Sequence, residues 1–427
     1  MKKVRELFAK VMNSSELKKK FLFLLFIFLI CRLLAIVPIP GIKGDVIQSF
    51  FQESQFLNIL NIFSGGTLSR FSIVAMGVSP YISASIVIQL ATIVLPKLKE
   101  IQKDGERGKQ KINQYTRILS LPVALIQSVS MMAILVTNNL LYSTNIFLLI
   151  AIAVIMTAGA FLMTWLGELI SQYGIGNGVS MIMTLGIVSQ IPQTIALIAT
   201  GETTVWYTVI AMIIIVLALV ALVTFFEQAV RQVPIQYAKR VHGSRTVGGQ
   251  STFLPIKVNS TGVLPIIFAM TIMAAPAFIG QLLIPMVNHP KLQTLGTNLT
   301  TWFSSSSPVY LICYFVIVFV FTYFSSIVLF NADDIAEELK KSGAFVPGIR
   351  PGEKTSKHLK GIVSNLTFIN AAFLSLIALA PYVLGAITGI DGLAIGGTSV
   401  LILVSVIMET AKQIEGQTVG QNYDKYQ

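Results

Sequence analysis

The segment KKKFLFLLFIFLICRLLAIVPIP, residues 18–40, places three lysines directly before an apolar stretch. That stretch is close to the ~20 residues that a helix needs to cross the hydrocarbon core of a bilayer. Cys31 could end a lipoprotein signal, but bulky residues precede it, no small-residue cleavage site follows, and the apolar stretch continues beyond it. The sequence therefore predicts an uncleaved first transmembrane span.

Further apolar stretches of similar length follow the first one. The chain is 54% apolar and 12% charged, about half the charged fraction of a soluble domain. This composition predicts an all-α polytopic membrane protein with ten transmembrane helices. The predicted spans are 21–40, 74–95, 117–138, 145–168, 176–198, 204–226, 258–286, 308–331, 361–388 and 393–411.

The 31 Lys and Arg residues are unevenly divided between the gaps that separate these spans. Of these, 27 lie before the first span, in alternate gaps or in the tail, and only Lys43, Arg70 and Lys291 lie in the other gaps. Because positive loops stay cytoplasmic, both termini and two large basic loops, 227–257 and 331–361, are predicted to be cytoplasmic. The net charge of +12 also suits anionic lipid headgroups, ribosomal RNA or an acidic protein surface.

The predicted spans fall into two sets of five, divided near Gly201. Halves with an odd number of spans can share a fold only if they are inverted relative to each other. We therefore expect an N-terminal half, 21–200, and a C-terminal half, 201–411. A cytoplasmic N-terminal segment, 1–20, and a cytoplasmic tail, 412–427, flank them.

The stretch NILNIFSGGTLSRFS, residues 58–72, has apolar residues at helical spacing but is too short to cross the membrane. It is predicted to be a re-entrant half-helix, and backbone at membrane depth must be buried in protein or line a cavity. A short amphipathic helix on the outer surface is the alternative. Pro80 is expected to break the hydrogen-bond ladder near the start of the next span, whose polar face includes Ser83.

Candidate catalytic groups are sparse. His242, His289 and His358 lie far apart in loops, which argues against a Ser-His protease and a His metal site. The GIGNG motif, residues 174–178, lacks the lysine of a phosphate-binding loop and follows a predicted span instead of a strand. Acidic residues at mid-span are typical of ion-coupled transporters, whereas the charge nearest to mid-span here is Arg32. We expect no enzymatic activity and no metal or other cofactor.

Eight motifs, in chain order, resemble those of the SecY family, the protein-conducting channel subunits of the bacterial Sec translocon. They extend through nearly the whole chain, which makes the resemblance specific. The motifs are PIPGI (38–42), IFSGG followed by LSRFSI (62–66 and 68–73), GVSPYISASIVIQL (77–90), DGERGKQKINQYTR (104–117), WLGELISQYGIGNGVS (165–180), QSTFLPIKVNSTGVLPIIFA (250–269), LKKSGAFVPGIRPGEKTSKHL (339–359) and GGTSVLI (396–402).

The resemblance implies two inverted five-helix halves around an hourglass pore, which opens across the membrane for secreted chains and sideways for signal anchors. The half-helix at 58–72 is then the plug, with Ile62, Phe63, Ser64, Gly65, Gly66 and Arg70 as its candidate residues. A ring of apolar side chains is implied at the constriction, and core packing or lipid contact is the alternative for each. The implied ring positions are Val78, Ile82, Val179, Met183, Ile267 and Ile402.

The implied lateral gate lies between spans two and three on one side and spans seven and eight on the other. Ser83, Gln127 and Asn259 are the polar candidates to hold this gate shut. Interhelical hydrogen bonds in membranes contribute roughly 0.6 to 2 kcal/mol each, so a hydrophobic signal helix could displace them.

The two large basic loops are implied to dock the ribosome or the ATPase motor SecA. Arg350 in GIRPGE, and Lys239 and Arg240 in YAKR, are the candidates, with a solvated loop cation as the alternative. Other implied partners are SecE, SecG, signal sequences, translocating polypeptides and anionic lipids. The predicted function is a passive protein translocation channel of the bacterial cytoplasmic membrane, and an ion-coupled secondary transporter is the alternative.

Overall fold

The computed structural model describes residues 14–43, 64, 67–68, 70–200, 206–237, 240–242, 245–247, 251–286, 290–304, 307–388 and 391–424. Each of the ten predicted apolar stretches coincides with a helix, so the prediction of helices at these places is confirmed. In chain order the helices are α1 Ser15–Ile36, α2 Ser79–Val94, α3 Pro96–Lys103, α4 Glu106–Thr137, α5 Ile146–Tyr173, α6 Gly178–Thr200, α7 Trp206–Gln228, α8 Leu264–Met286, α9 Pro290–Trp302, α10 Pro308–Leu329, α11 Ala332–Lys341, α12 Glu353–Thr388 and α13 Asp391–Asp424.

Four helical segments in the described ranges are long and apolar enough to cross a membrane by themselves. A bent pair made from α2 and α3, with an angle of 105° between them, makes a fifth if it counts as one span. The chain is therefore a helical membrane protein, and a crossing by all ten helices stays a prediction. The four segments are Arg107–Val136, Ile146–Tyr173, Pro308–Ser326 and Glu353–Ala380.

Helix ends follow from the local sequence. The Asn145 side chain accepts a hydrogen bond from the amide of Phe147 at 3.3 Å and so caps the start of α5. Pro80 lies in the first turn of α2, where helix amides have no intrahelical partner. The predicted break in the hydrogen-bond ladder at Pro80 is therefore wrong, because a proline at this position begins a helix without removing a bond.

Apolar side chains from both predicted halves form one large buried cluster. Leu24 in α1, Ile170 in α5, Val223 in α7, Tyr314 in α10 and Leu374 in α12 all belong to it. Helices of the two halves also contact each other directly, because α8 packs against α2 and α4, and α6 packs against α13. The core therefore continues from one half into the other.

The two large basic loops are joined by a β-sheet that the sequence analysis did not predict. Strand β1, Val230–Tyr237, pairs antiparallel from Val230 to Gln236 with the whole of β4, Ser251–Lys257. Its end also pairs antiparallel with β5, Ala344–Phe345, which comes from the other loop. A separate hairpin, β2 Arg240–His242 with β3 Arg245–Val247, lies between β1 and β4 in the chain.

A small apolar core supports this sheet. Val233 of β1 and Ile256 of β4 are buried together with Ala332 of α11, Val346 and Leu359. In addition, Asp333 at the start of α11 accepts hydrogen bonds from Ser356 and Lys360 of α12. The sheet, α11 and the start of α12 therefore form one packed unit instead of two independent loops.

Candidate functional site

The structure places all six predicted ring positions in or against the large buried cluster. Five are buried, from 1% exposed at Val78 to 8% at Ile82, and Val179 is half-buried and packs against the cluster. They come from the turn before α2 and from α2, α6, α8 and α13. The buried positions are Val78, Ile82, Met183, Ile267 and Ile402.

Two of the three predicted gate residues are in contact. The amide nitrogen of Gln127 in α4 lies 3.4 Å from the hydroxyl of Ser83 in α2. Both helices also contact α8, so this pair lies on helices that form one of the junctions between the halves. The Ser83–Gln127 contact therefore couples α2 to α4 and does not itself bridge the halves.

Asn259, the third predicted gate residue, belongs to a different network. Its amide donates to the carboxylate of Glu227 at 2.8 Å, and its carbonyl oxygen accepts from the amide of Asn370 in α12 at 3.2 Å. The same Glu227 oxygen accepts from the hydroxyl of Ser405 in α13 at 2.9 Å. The described hydrogen bonds of Asn259 therefore hold the second half together and do not reach Ser83 or Gln127.

Sequence reasoning missed this role of Glu227. The residue stands at the end of an apolar stretch and was visible only as a charge near a span boundary. In the structure its backbone carbonyl also accepts from the ammonium of Lys412 at 3.2 Å. Glu227 thus joins α7, the segment before α8, and α13 through one side chain and one carbonyl.

The predicted plug is described only in part. Ser64 is buried and Arg70 is exposed, while Ile62, Phe63, Gly65 and Gly66 lie outside the described residues. The predicted half-helix does not extend to Ser72, because Leu68, Arg70 and Phe71 lie in turns and Ser72 forms an isolated β-bridge with Pro38.

The backbone conformation at Phe71 is incompatible with a helix over residues 67–72. Phe71 has a φ of 42°, in the left-handed region that a helix of L-residues does not use. The hydroxyl of Thr67 donates to the carbonyl of Ser64 at 2.7 Å and thereby stabilises a turn. Leu68 and Phe71 are both buried in a second apolar cluster that belongs to the first half.

Arg32, the charge noted within the first span, bridges two helices. Its guanidinium donates to the carbonyl oxygen of Leu185 in α6 at 2.8 Å. Leu185 follows the ring position Met183 by two residues. This contact therefore fixes α1 against the helix that carries two of the predicted ring residues.

Of the predicted docking residues, Arg350 lies on the unit formed by the β-sheet. Arg350 is exposed in the turn that follows β5, and its carbonyl accepts from the hydroxyl of Thr355 in α12 at 2.9 Å. The flanking Gly348 and Gly352 have φ values of 81° and 99°, which favour glycine. Arg240 begins β2, and Lys239 lies outside the described residues.

Solved structures with this fold are protein-conducting channels. One described as "a protein conducting channel" aligns with 95% of this chain and 94% of its own length, at 18% identity and a TM-score of 0.65. Canine Sec61 from a ribosome-channel complex aligns over the same shares of the two chains, at 16% identity and a TM-score of 0.59. The chain therefore has the fold of these protein-conducting channels.

The family follows from sequence comparison. The SecY family model matches residues 72–411. The protein translocase subunit SecY of Thermus thermophilus is 39% identical and covers 98% of this chain and 97% of its own length. The protein translocase subunit SecY of Mycobacterium tuberculosis is 38% identical, and the alignment covers 98% of this chain and 99% of the length of that protein. The chain belongs to the SecY family, whose members are channel subunits and not enzymes.

Proposed function

We propose that this chain is the pore-forming subunit of a protein translocation channel in the bacterial cytoplasmic membrane. It passes unfolded secretory polypeptides across the membrane and releases transmembrane segments sideways into the lipid. The observation that carries this proposal is the gathering of six apolar positions, from four helices and one turn, in one buried cluster of a SecY-family chain. An ion-coupled transporter is not favoured, because the ring positions are apolar and the described part of the chain contains no group of three or more His, Cys, Asp or Glu that could hold a metal ion.

The ring works as an apolar seal. Branched alkyl side chains such as Ile82 and Ile267 exclude water, so a narrow passage between them dewets and blocks ions. Val78, Val179 and Met183 depart from the isoleucines usual in the family. The flexible thioether of Met183 adapts to side chains of different shape, which suits a seal around a moving polypeptide.

The gate is the junction where α8 packs against α2 and α4. Separation of α8 from these two helices would open a path from the pore into the lipid. The Ser83–Gln127 hydrogen bond stabilises one wall of that path. Asn259 acts on the other wall, since its bonds to Glu227 and Asn370 fix the segment that leads into α8.

The plug is the segment at about 58–72, which closes the outer end of the pore. Buried turns at its end support this role, because irregular backbone at membrane depth must be covered by protein. Ser64 and Thr67 anchor the segment at its base. The part of the plug that precedes Leu68 moves aside for a passing chain, whereas Leu68 and Phe71 stay in their apolar cluster.

The membrane arrangement comprises ten spans in two inverted halves, 21–200 and 201–411, with both termini in the cytoplasm. The division of 27 cations against three supports this topology. It places the β-sheet unit in the cytoplasm, where its exposed Arg350 and the hairpin that begins at Arg240 form a docking surface.

The partners are those of a translocase. SecE and SecG are companion subunits, SecA and the ribosome dock on the cytoplasmic unit, and anionic lipids bind the basic loops. Channels of the same fold are described with ribosomes, namely canine Sec61 and the yeast Ssh1 complex on the 80S ribosome. The basic residues in 97–117, which lie in α3 and at the start of α4, suit ribosomal RNA, since phosphate contacts dominate affinity for nucleic acid.

A reconstitution experiment tests the function. Proteoliposomes that contain the chain with SecE should import a preprotein when SecA and ATP are supplied. They should show no uptake of small solutes driven by an ion gradient. The transporter alternative requires the reverse result, and failure to import any preprotein in the presence of all components would reject the proposal.

A further inference from the structure

The GIGNG loop, residues 174–178, is shaped by close backbone packing between α5 and α6. The amide of Gly174 donates to the carbonyl of Ile170 at 2.8 Å, which ends α5. A Cβ at Gly178 would lie 1.7 Å from the carbonyl oxygen of Gly167, so only glycine fits there. Close packing therefore explains the glycines of this loop, which in the sequence resemble part of a phosphate-binding loop.

The middle of this loop contacts the second half of the chain. Gly176 has a φ of 85°, and its amide donates to the side-chain oxygen of Gln413 in α13 at 2.8 Å. A Cβ at Gly176 would lie 3.2 Å from the hydroxyl of Thr410, also in α13. The loop and this helix are 237 positions apart in sequence, so the contact depends on the tertiary fold.

The same part of α13 is fixed to the second half on another side. Ser405 and Lys412 both donate to Glu227 at the end of α7, at 2.9 and 3.2 Å. One stretch of α13 therefore binds the loop of the first half and the terminal turn of α7. If the halves move apart at α13, this helix must lose either its contacts with the loop or its contacts with Glu227.

We propose that the GIGNG loop and Gln413 form a clasp between the halves that stays closed while a polypeptide passes. Opening then occurs at the other junction, where α8 packs against α2 and α4. The inference rests on the proposed function, because the clasped helices carry the ring positions Val179, Met183 and Ile402. A closed clasp holds these three positions at fixed separation, so the seal opens on the side of α8.

A reversible cross-link tests whether the clasp stays closed. Gly176→Cys and Thr410→Cys, combined in a background with Cys31 and Cys313 replaced by alanine, place two thiols within the range of a disulfide. We expect proteoliposomes with the oxidised double variant to import preprotein at the same rate as the reduced sample. Import that stops on oxidation and recovers on reduction would show that this seam opens, and would overturn the clasp.

Variants of Gln413 test the hydrogen bond itself without a change in the strained loop. Gln413→Ala and Gln413→Lys remove the acceptor, and we expect a rise of about fivefold in resting ion conductance, the equilibrium effect of one ordinary hydrogen bond. Gln413→Glu keeps an acceptor and should match the wild type. The exposed Gln172 provides the control, since Gln172→Ala should leave conductance unchanged.

The outcomes separate the two proposals. A wild-type channel that imports no preprotein rejects the proposed function. A wild-type channel that imports preprotein, together with Gln413→Ala that conducts like wild type or Gln413→Glu that leaks like Gln413→Ala, rejects only the clasp.

Discussion

The carboxylate of Glu227 and the amide of Asn259 meet at 2.8 Å and join the end of α7 to the segment that leads into α8. The two residues are 32 positions apart, with the four strands β1 to β4 between them. The family resemblance implies a gate role for Asn259, and this contact of Asn259 lies within the second half. The segment before α8 is thereby tied to α7 and, through the shared oxygen of Glu227, to α13.

Removal of the Glu227 carboxylate should destabilise the second half. Glu227→Ala leaves the donors of Asn259 and Ser405 without their acceptor, and each unpaired donor costs about 1–3 kcal/mol where it is buried. We expect Glu227→Ala to lower the midpoint of thermal unfolding in detergent. Glu227→Gln should lower this midpoint less. Glu409→Ala, at an exposed position in α13, is the control. Equal stability of Glu227→Ala and Glu409→Ala would contradict the network.

Two glycine substitutions should have opposite effects. Gly178→Ala brings a methyl group to 1.7 Å from the Gly167 carbonyl, and backbone cannot give way, so the purified protein should be strongly destabilised. Gly361, in α12, has nothing within 4 Å of an added Cβ, and Gly361→Ala should be neutral or stabilising by about 0.5–1 kcal/mol. Thermal unfolding of both variants checks this, and a normal midpoint for Gly178→Ala would disprove the close packing.

Arg350 should be needed for SecA-driven transport and not for folding. Arg350→Glu reverses an exposed charge on the docking unit, and we expect it to abolish SecA-driven import. Arg350→Lys keeps the charge but loses the planar set of donors, so import should fall several-fold. SecE binding and thermal stability serve as controls and should not change. Normal import with Arg350→Glu would mean that the motor docks elsewhere.

Cysteine labelling should reveal the predicted topology. In a background without Cys31 and Cys313, cysteines at positions 103, 242 and 350 should resist a membrane-impermeant reagent in intact cells. Cysteines at 43, 288 and 391 should react, because these positions lie in the gaps with few cations. Labelling of position 350 from outside would reverse the scheme.

Polar ring residues should make the closed channel leak. Ile82→Ser and Ile267→Ser place hydroxyls that stabilise water in the seal, so resting conductance in planar bilayers should rise several-fold. Deletion of residues 60–70 should also raise it while transport continues, and preproteins with weakened signal sequences should be exported more readily. Ile279→Ser in α8, half-exposed, is the matched control. An unchanged conductance in the combined variant would mean that these residues merely pack a core.

The positions of the helices could be predicted from the sequence because hydropathy is a local property. Stretches such as 145–168 and 308–331 coincide with α5 and α10 to within a few residues. By the same local reasoning, the distribution of Lys and Arg predicts on which side of the membrane each gap between spans lies. The ring positions could be named only by resemblance, since an isolated Ile or Val in a span is most often core or lipid-facing.

The contacts between distant segments could not be predicted. Gln413 is an ordinary polar residue after an apolar stretch, and nothing local connects it with Gly176, 237 positions away. The sheet could not be predicted from the sequence either. Strand β5 is only two residues long, and Pro234 in β1 and Pro255 in β4 are residues that strands disfavour. The predicted extension of the half-helix to Ser72 is wrong because Phe71 has a positive φ. A phenylalanine gives no indication of such a conformation in the sequence.

The sheet that joins the two basic loops has a mechanical consequence. Because β5 is hydrogen-bonded to β1, a force applied at Arg350 loads β1, and β1 transmits it across the ladder to β4. Strand β4 is followed by the short segment 258–263 and then by α8, while β1 follows α7 closely. A push on the turn at 346–352 is therefore transmitted through β1 and β4 to the segment that precedes α8.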